Sequence, residues 1–413
     1  MPPSLGDTLS LTVEPSSQRQ LSGRRRAIPL AASTLLVGIS VHLLWLVVQL
    51  YLKSQGVSTF WIGMVGTINA AGMLAGGLMW GTISDHVRRR RLLALLILGL
   101  SAGIAVLVLL PPTSVILGTG FARSLFFSGL IAVTIAIISG SSRAERRGKN
   151  LSYVASSRAM GFALGAFASG FLLEWLGYRA AFGVAAFIPL IALLFVLRLP
   201  AENPIRRPRA SSAWREALSR GLGDLYLALA LRQMAILGAF ALLYVYMDTL
   251  GISPGIMGVV ASMNMITQVP SLIVFGWLAD RLGRRRVFML GFALSILTPC
   301  WFVIIPSVIG MALGYVTLGL AFSSLHVGAT AHIGDRVAGE RQGQMLGLYE
   351  SSRGLGGLLG PVLAGSLAPV IGFKGMFLIM AGIASLGFLL MLAGRIIRRR
   401  SSTSQQPAHE AAE

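Results

Sequence analysis

The sequence predicts an all-α membrane protein, with twelve transmembrane helices in two parallel six-helix repeats. Composition carries the first part of this reading. Of 413 residues, 54% are hydrophobic and only 12% charged, and the mean hydropathy is +0.74. A soluble surface needs about twice that charge density. Apolar stretches of about 20 residues recur and fit helices that cross a bilayer, whereas barrel strands would alternate apolar and polar side chains. The second part rests on self-similarity. GTISDHVRRRR starts at Gly81 and GWLADRLGRRR at Gly276, an offset of 195 residues. The same offset carries Ser156, Ser157 and Arg158 onto Ser351, Ser352 and Arg353, and Gly161, Gly165 and Gly170 onto Gly356, Gly360 and Gly365. It also maps Asn69 onto Asn264, Glu145 and Arg146 onto Glu340 and Arg341, Gly177 onto Gly372 and Phe182 onto Phe377, without insertion or deletion.

The elements follow in order. Residues 1–27 form a polar cytoplasmic tail, and the first span, 28–53, acts as its own uncleaved signal. The second, 60–84, runs into the Gly81 motif; the third, 92–111, stops at Pro111 and Pro112; the fourth covers 115–140. The fifth, 150–174, follows the basic run Arg143 to Lys149 and turns at Gly177 into the sixth, 179–198. Together residues 28–198 make the first six-helix bundle. A linker, 199–227, places Trp214, Leu218, Leu222 and Leu225 at helical spacing, which reads as an interfacial helix on the cytoplasmic leaflet or as a disordered loop. The second bundle, 228–396, holds spans at 228–250, 255–279, 287–305, 307–333, 344–368 and 373–396, with turns at Ser253 and Pro254, Pro306 and Gly372. Residues 397–413 form a tail with the composition of a disordered segment.

The net charge of +20 lies almost wholly in alternate loops, such as Arg88 to Arg91, Arg143 to Lys149, Arg206 to Arg220, Arg281 to Arg286 and Arg336 to Arg341. Near the other loops lie only Lys53, Arg179 and Lys374. This is the positive-inside pattern, and it places both termini in the cytoplasm of a multi-pass protein of the bacterial plasma membrane. It also excludes nucleic acid as a partner, because spans separate the basic runs and no aromatics interleave them. Cys300 is the single cysteine, so no intrachain disulfide forms. The chain has no G-x-x-x-x-G-K-[ST] loop and no zinc spacing, so it implies no ATP-driven step, no metal, no cofactor and no enzyme chemistry.

The repeated motif carries its own chemistry. An Asp at the C-terminal end of a helix is unfavourable in the helix dipole and needs a partner. The free N–H groups at the start of a neighbouring helix supply one. The second copy, with Gly276, Asp280, Arg281, Gly283, Arg284 and Arg285, resembles the G-x-x-x-D-R-x-G-R-R signature of the major facilitator superfamily. The first copy keeps Gly81, Asp85, Arg89 and Arg90, while His86 and Arg88 replace an Arg and a Gly. The resemblance extends over about residues 28–396. It implies that the second helix packs on the eleventh and the eighth on the fifth, the helices that carry Arg353 and Arg158. Two cytoplasmic latches are therefore expected, Asp85 with the start of the eleventh helix and Arg353, and Asp280 with the start of the fifth and Arg158. The plainer reading is that the arginine runs only fix topology.

Gly356, Gly360 and Pro361, in GGLLGPVLAG, look like the family's antiporter motif, but that motif belongs in the fifth helix. There Gly161 and Gly165 stand without the Pro, which weakens the antiporter inference. A glycine stripe allows close helix contact, and the Pro loosens the backbone of a helix that must rock; tight packing alone explains the stripe equally.

Ionisable groups inside spans are costly and therefore functional candidates. Arg123 resembles the lone Arg of the family's fourth-helix motif, which the resemblance ties to proton coupling; its counterpart is Leu318. His42 and His326 titrate near neutrality when unperturbed and are candidates to carry a proton, or else packing residues. Asp248 is a further candidate or a solvated helix end. Glu350 and Arg353 are placed to neutralise each other at i,i+3, while Ala155 leaves Arg158 without that acid. Asn69, Asn264 and Gln268 are candidates to line a cavity, with Gln49, Trp45, Tyr244, Tyr246 and Tyr315.

The functional expectation is a monomeric secondary transporter working by alternating access and exporting small amphipathic or drug-like molecules in exchange for protons. Residues 28–52 contain no acid, which argues against a dedicated organic-cation antiporter and leaves room for neutral or anionic substrates. Uptake of a sugar or organic anion, movement of a lipid or lysolipid, and a non-transporting receptor or scaffold are the alternatives.

Overall fold

The computed structural model describes residues 16–84, 86–142, 144–200, 223–334 and 341–403. Asp85, the later linker with Trp214 to Leu222 and the ends of both tails lie outside them. Every regular element described is a helix: α1 Ser16–Ser54, α2 Thr59–Ile83, α3 Arg89–Ala105 with a 3-10 turn Val106–Leu109, α4 Thr113–Ser141, α5 Ala144–Leu197, α6 Gly223–Ala241, α7 Leu243–Thr249, α8 Pro254–Leu282, α9 Arg284–Ile304, α10 Val308–Gly334 and α11 Arg341–Thr403. Ten stretches among the described residues are long and apolar enough to cross a membrane. Leu78, Ile273 and Val370 are 78, 77 and 80% exposed on their outside. In water each would forgo about 1.5–3 kcal/mol of burial, so this surface belongs in lipid.

The boundaries depart from expectation in several places. α6 begins at Gly223, inside the expected linker, with Leu225 buried in the core rather than on an interfacial helix, and α11 runs to Thr403, inside the expected tail. α1 begins at Ser16, so part of the segment assigned to the tail is helical, and it continues through Pro29. The seventh span is broken at Leu242, with φ −120° and ψ 6°, into α6 and α7. At Gly177 and Gly372 no loop intervenes: the backbone takes φ 75°, ψ 179° and φ 72°, ψ 170° for one residue and helix resumes. Only glycine adopts that conformation readily.

Contacts show what the single residue does. Before Gly177, Gly161 lies on Leu35 and Gly165 on Ile39 of α1, with numbers rising together. After it, Phe182 meets Tyr51, and Ala185 accepts a 2.6 Å hydrogen bond from Ser40, with numbers running in opposite directions. The two limbs of α5 are therefore antiparallel. The same holds in α11, where Gly356 and Gly360 lie on Ala230 and Met234 of α6, while Phe377 meets Tyr246 and Gly387 meets Ala228. Leu35 and Ala230, and Ile39 and Met234, are again 195 residues apart.

The halves meet along two seams, α2 with α11 and α5 with α8. On the face opposite the arginine runs, backbones touch. A Cβ at Gly365 would lie 2.7 Å from the Thr59 carbonyl oxygen, and one at Gly170 only 2.9 Å from Gly255 Cα. Pro361 fills the space opposite Gly63 and Gly66, its Cβ 2.7 Å from where a Gly66 Cβ would stand. Thr67 enters the ladder of α11 beside that proline, accepting from Val362 N at 3.1 Å and donating to Leu358 O at 2.8 Å. Towards the arginine-rich face the seam loosens: Gly357 stands off Ala70, Gly354 meets only the side chain of Leu74, and Gly81, Gly276 and Gly347 have open space. The core follows the same division. Buried residues at the end of the second half away from the arginine runs, including Met257, Met311 and Phe377, join the first half in one cluster. Those at its arginine-rich end, including Leu225, Phe288 and Tyr349, form a separate one.

Overpacking costs about 1–3 kcal/mol, so Gly170→Val or Gly365→Val should lower the thermal unfolding temperature of the purified protein. Gly382→Ala, on an exposed face with open space, should leave it unchanged or slightly higher. Equal behaviour of the three would show that the seam is not closely packed.

Candidate functional site

Closure of the face opposite the arginine runs is completed by polar contacts between the halves. Lys53 at the end of α1 forms an ion pair with Asp248 in α7, and the two stand at equivalent positions, 195 residues apart. Nearby, Gln49 donates to Phe240 O at 3.4 Å. Asp248 is thus committed to this face. It bridges the two halves there, away from the arginines at the other end.

At the other end, α5 and α11 bring the duplicated arginines to the space between the halves. Arg353 donates to both carboxylate oxygens of Glu350 at 3.1 Å and from Nε to Gln233 Oε1 at 3.4 Å. Its guanidinium lies over Phe322 and Tyr349, 5.5 and 5.6 Å from the ring centres. Arg158 lies over Phe162 at 5.9 Å and has no hydrogen bond or ion pair among the described residues. The helices that carry Arg158 and Arg353, α5 and α11, do not pack extensively on each other. The difference between the halves is local: where the second has Gln233 and Glu350, the first has Gly38 and Ala155.

Sequence reasoning passed over one member of this group. Arg232, in LALALRQMAILG, is 4% exposed, donates from Nε to Ser295 at 2.9 Å and from Nη1 to Gln233 at 3.1 Å, and leaves Nη2 without a partner. It was legible as a lone Arg one turn inside the apolar start of the seventh span. Around the arginines is an aromatic lining. His42 stacks between Phe162 at 4.5 Å and Trp45 at 6.1 Å, and His326 lies parallel to Phe322 at 5.7 Å. A cleft in the first half, bordered by Arg158 with Ser33, Thr34, Phe127 and Thr134, opens beside this ladder.

The remaining candidates are placed elsewhere. Arg123 is buried among α2, α3 and α4, donating to Thr119 O at 3.2 Å beside Asn69. Asn264 donates to Tyr315 O at 3.5 Å, Gln268 is buried, and Tyr246 is bonded to Phe302 O in the core. Gly161, Gly165, Gly356 and Gly360 seat α1 and α6 within each half, while Pro361 faces the seam.

The expected latch at Asp85 lies outside the described residues, and the one at Asp280 is not made among them. Asp280 is exposed and has no partner among the described residues. Arg281 lies on Trp277, 4.0 Å from its ring, and Gly283 makes the turn at φ 89°. Arg353 is held by Glu350, and Arg158 faces the gap. Arg89 is 1% exposed and bonds Ala136 O at 3.1 Å, inside the first half. Arg90 is half-buried; Arg284 and Arg285 are exposed.

The chain matches the family model described as Major Facilitator Superfamily over residues 30–253 and 225–412. It is 26% identical over 392 residues to multidrug resistance protein MdtG of Klebsiella pneumoniae (strain 342), covering 90% of this chain and 93% of that one. Its fold resembles nucleoside transporter NupG, with a TM-score of 0.74, 14% identity and 89% and 98% of the two chains covered. A bacterial homolog of the human lysosomal transporter Spinster, in an inward-facing and unoccupied conformation, gives a TM-score of 0.75 at 15% identity over 92% and 98%.

Exposed ion pairs contribute at most about 1 kcal/mol, so breaking Lys53–Asp248 should loosen the outer seam without unfolding the protein. In a Cys300→Ala background with Ala70→Cys as reporter, Lys53→Asp or Asp248→Lys should raise maleimide labelling from the outer face about two- to fivefold. The double reversal should restore the parent rate. Additive effects in the double variant would show that the pair does not hold the seam.

Proposed function

The chain belongs to the Major Facilitator Superfamily, and from that premise we propose that it is an alternating-access secondary transporter exporting small amphipathic or drug-like compounds against protons. The packing gradient carries this reading: the halves touch backbone to backbone at one face and part at the other. Such a body offers a central site to one side at a time.

Ten apolar stretches, two of them reversed at Gly177 and Gly372, support twelve crossings in two six-helix units, 28–198 and 228–396. The contacts repeated at an offset of 195 residues support their pseudo-twofold relation. The arginine runs support a cytoplasmic open face and cytoplasmic termini in a bacterial plasma membrane; on that reading this state is the inward-open one, and the proposed carrier is a monomer. Export is supported by the likeness to a multidrug resistance protein along nearly the whole chain.

In the outward-open state the arginine-rich face closes. Asp85 and Asp280 then meet the starts of α11 and α5, where free N–H groups stabilise a carboxylate. The unpartnered Asp280 of the open state supports this assignment.

Asp280→Asn should slow transport by about tenfold or more, the equivalent of a charge-assisted hydrogen bond, with membrane insertion unchanged. In everted vesicles, wild-type uptake of a transported compound should require a proton gradient and collapse when it is dissipated. Transport unaffected by the substitution removes the latch, and accumulation independent of the gradient removes proton exchange.

A further inference from the structure

Among the described residues, Arg158, Arg232 and Arg353 gather at the gap against one carboxylate, Glu350. Charge inside a membrane body is costly unless compensated. The second half largely compensates its own: Glu350 and Gln233 hold Arg353, and Gln233 and Ser295 hold Arg232. The first half replaces those two partners of Arg353 with Ala155 and Gly38. Arg158 therefore reaches the gap with its guanidinium over the Phe162 ring and without a hydrogen bond among the described residues. Five N–H donors in a planar fork match a carboxylate, sulfonate or phosphate.

We propose that Arg158 binds the anionic group of a soluble amphipathic organic anion, whose apolar body lies on the ladder of Phe162, His42 and Trp45. Ring stacking at 4.5 and 6.1 Å gives that ladder a continuous flat surface. Arg353 is the second hand of the site. It faces Arg158 from the equivalent place in the other half and exchanges Glu350 for the ligand's anion when the halves close. Glu350 is thus a resident competitor. The proposal rests on the transporter reading for its setting but concerns which charge class the site prefers.

The test uses full-length protein purified in a neutral maltoside detergent and one apolar body in three charge states, 2-naphthoate, 2-naphthamide and 2-naphthylmethylammonium. Binding is read as the ligand-dependent rise in unfolding temperature. Naphthoate should bind most tightly. Arg158→Gln should weaken it about ten- to hundredfold, as loss of a charge-assisted hydrogen bond does, while leaving the unliganded unfolding temperature and naphthamide binding near the parent values. Arg158→Lys should keep part of the affinity. Glu350→Gln should strengthen naphthoate binding, the opposite of what simple loss of an ion pair would do. Absence of discrimination among the three compounds, including no binding by any, overturns the proposal. So does preference for the ammonium, or naphthoate binding that survives Arg158→Gln. Arg158-dependent binding of lysophosphatidylglycerol without naphthoate binding also overturns it and assigns the site to a lipid headgroup. Proteoliposomes separate the two readings: Arg158-dependent naphthoate binding without movement sinks the transporter reading alone, and movement of amide and ammonium but not naphthoate sinks the anion site alone.

Discussion

Two helices reach backbone contact only where neither interposes a side chain, and this chain satisfies that condition at one end of its inter-bundle seams. Gly63, Gly66 and Gly365 on one seam, and Gly170, Gly255 and Gly258 on the other, remove the Cβ atoms that would hold the halves apart. With no hydrophobic drive between helices in lipid, such close packing is what favours association. Further along the same helices Leu74 stands between the backbones, and Gly81 and Gly276 face open space. The shape of the whole body follows from this gradient. Thr67 adds a directional element, because its hydroxyl ties the first half to the α11 ladder where Pro361 interrupts it.

The space left at the other end is not neutral. Duplication placed Arg158 and Arg353 at equivalent points, and divergence then gave an acid and an amide to one of them only. Aromatic faces on both sides, Phe162 and Phe322, hold the guanidiniums without neutralising them. The repeated frame and the unequal charge set within it are thus separate features of the chain. In the proposed carrier, the first serves movement and the second discrimination.

Much of the frame was legible in the sequence, because hydrophobic length, turn residues and a gap-free repeat are local signals. The edges of α4, α8, α9 and α10 fall within a few residues of expectation. Lys53 and Asp248 were visible as isolated charges, but nothing local says that two residues in different halves face each other; their shared offset was the available clue. Arg232 was visible as a lone Arg in the seventh span, but its place beside Gln233 and Ser295 depends on tertiary packing. Arg123 was visible as a lone arginine in a span, and its place between α2, α3 and α4 beside Asn69 depends on tertiary packing that no local signal gives. Asp280 has no partner among the described residues and Asp85 lies outside them, so the latches stay a proposal about a second conformation.

Reciprocity between the faces is the central claim, and distances between spin labels measure it most directly. One label pair would sit at Gln55 and Gly251 on the outer face and another at Lys149 and Leu282 on the arginine-rich face, each in a Cys300→Ala background with and without a wedge, Gly365→Trp, in the outer seam. The wedge is predicted to lengthen the outer distance and, on the far side of the protein, to shorten the Lys149–Leu282 distance. An outer distance that lengthens while the inner one stays fixed or lengthens too would contradict alternating access by rocking halves.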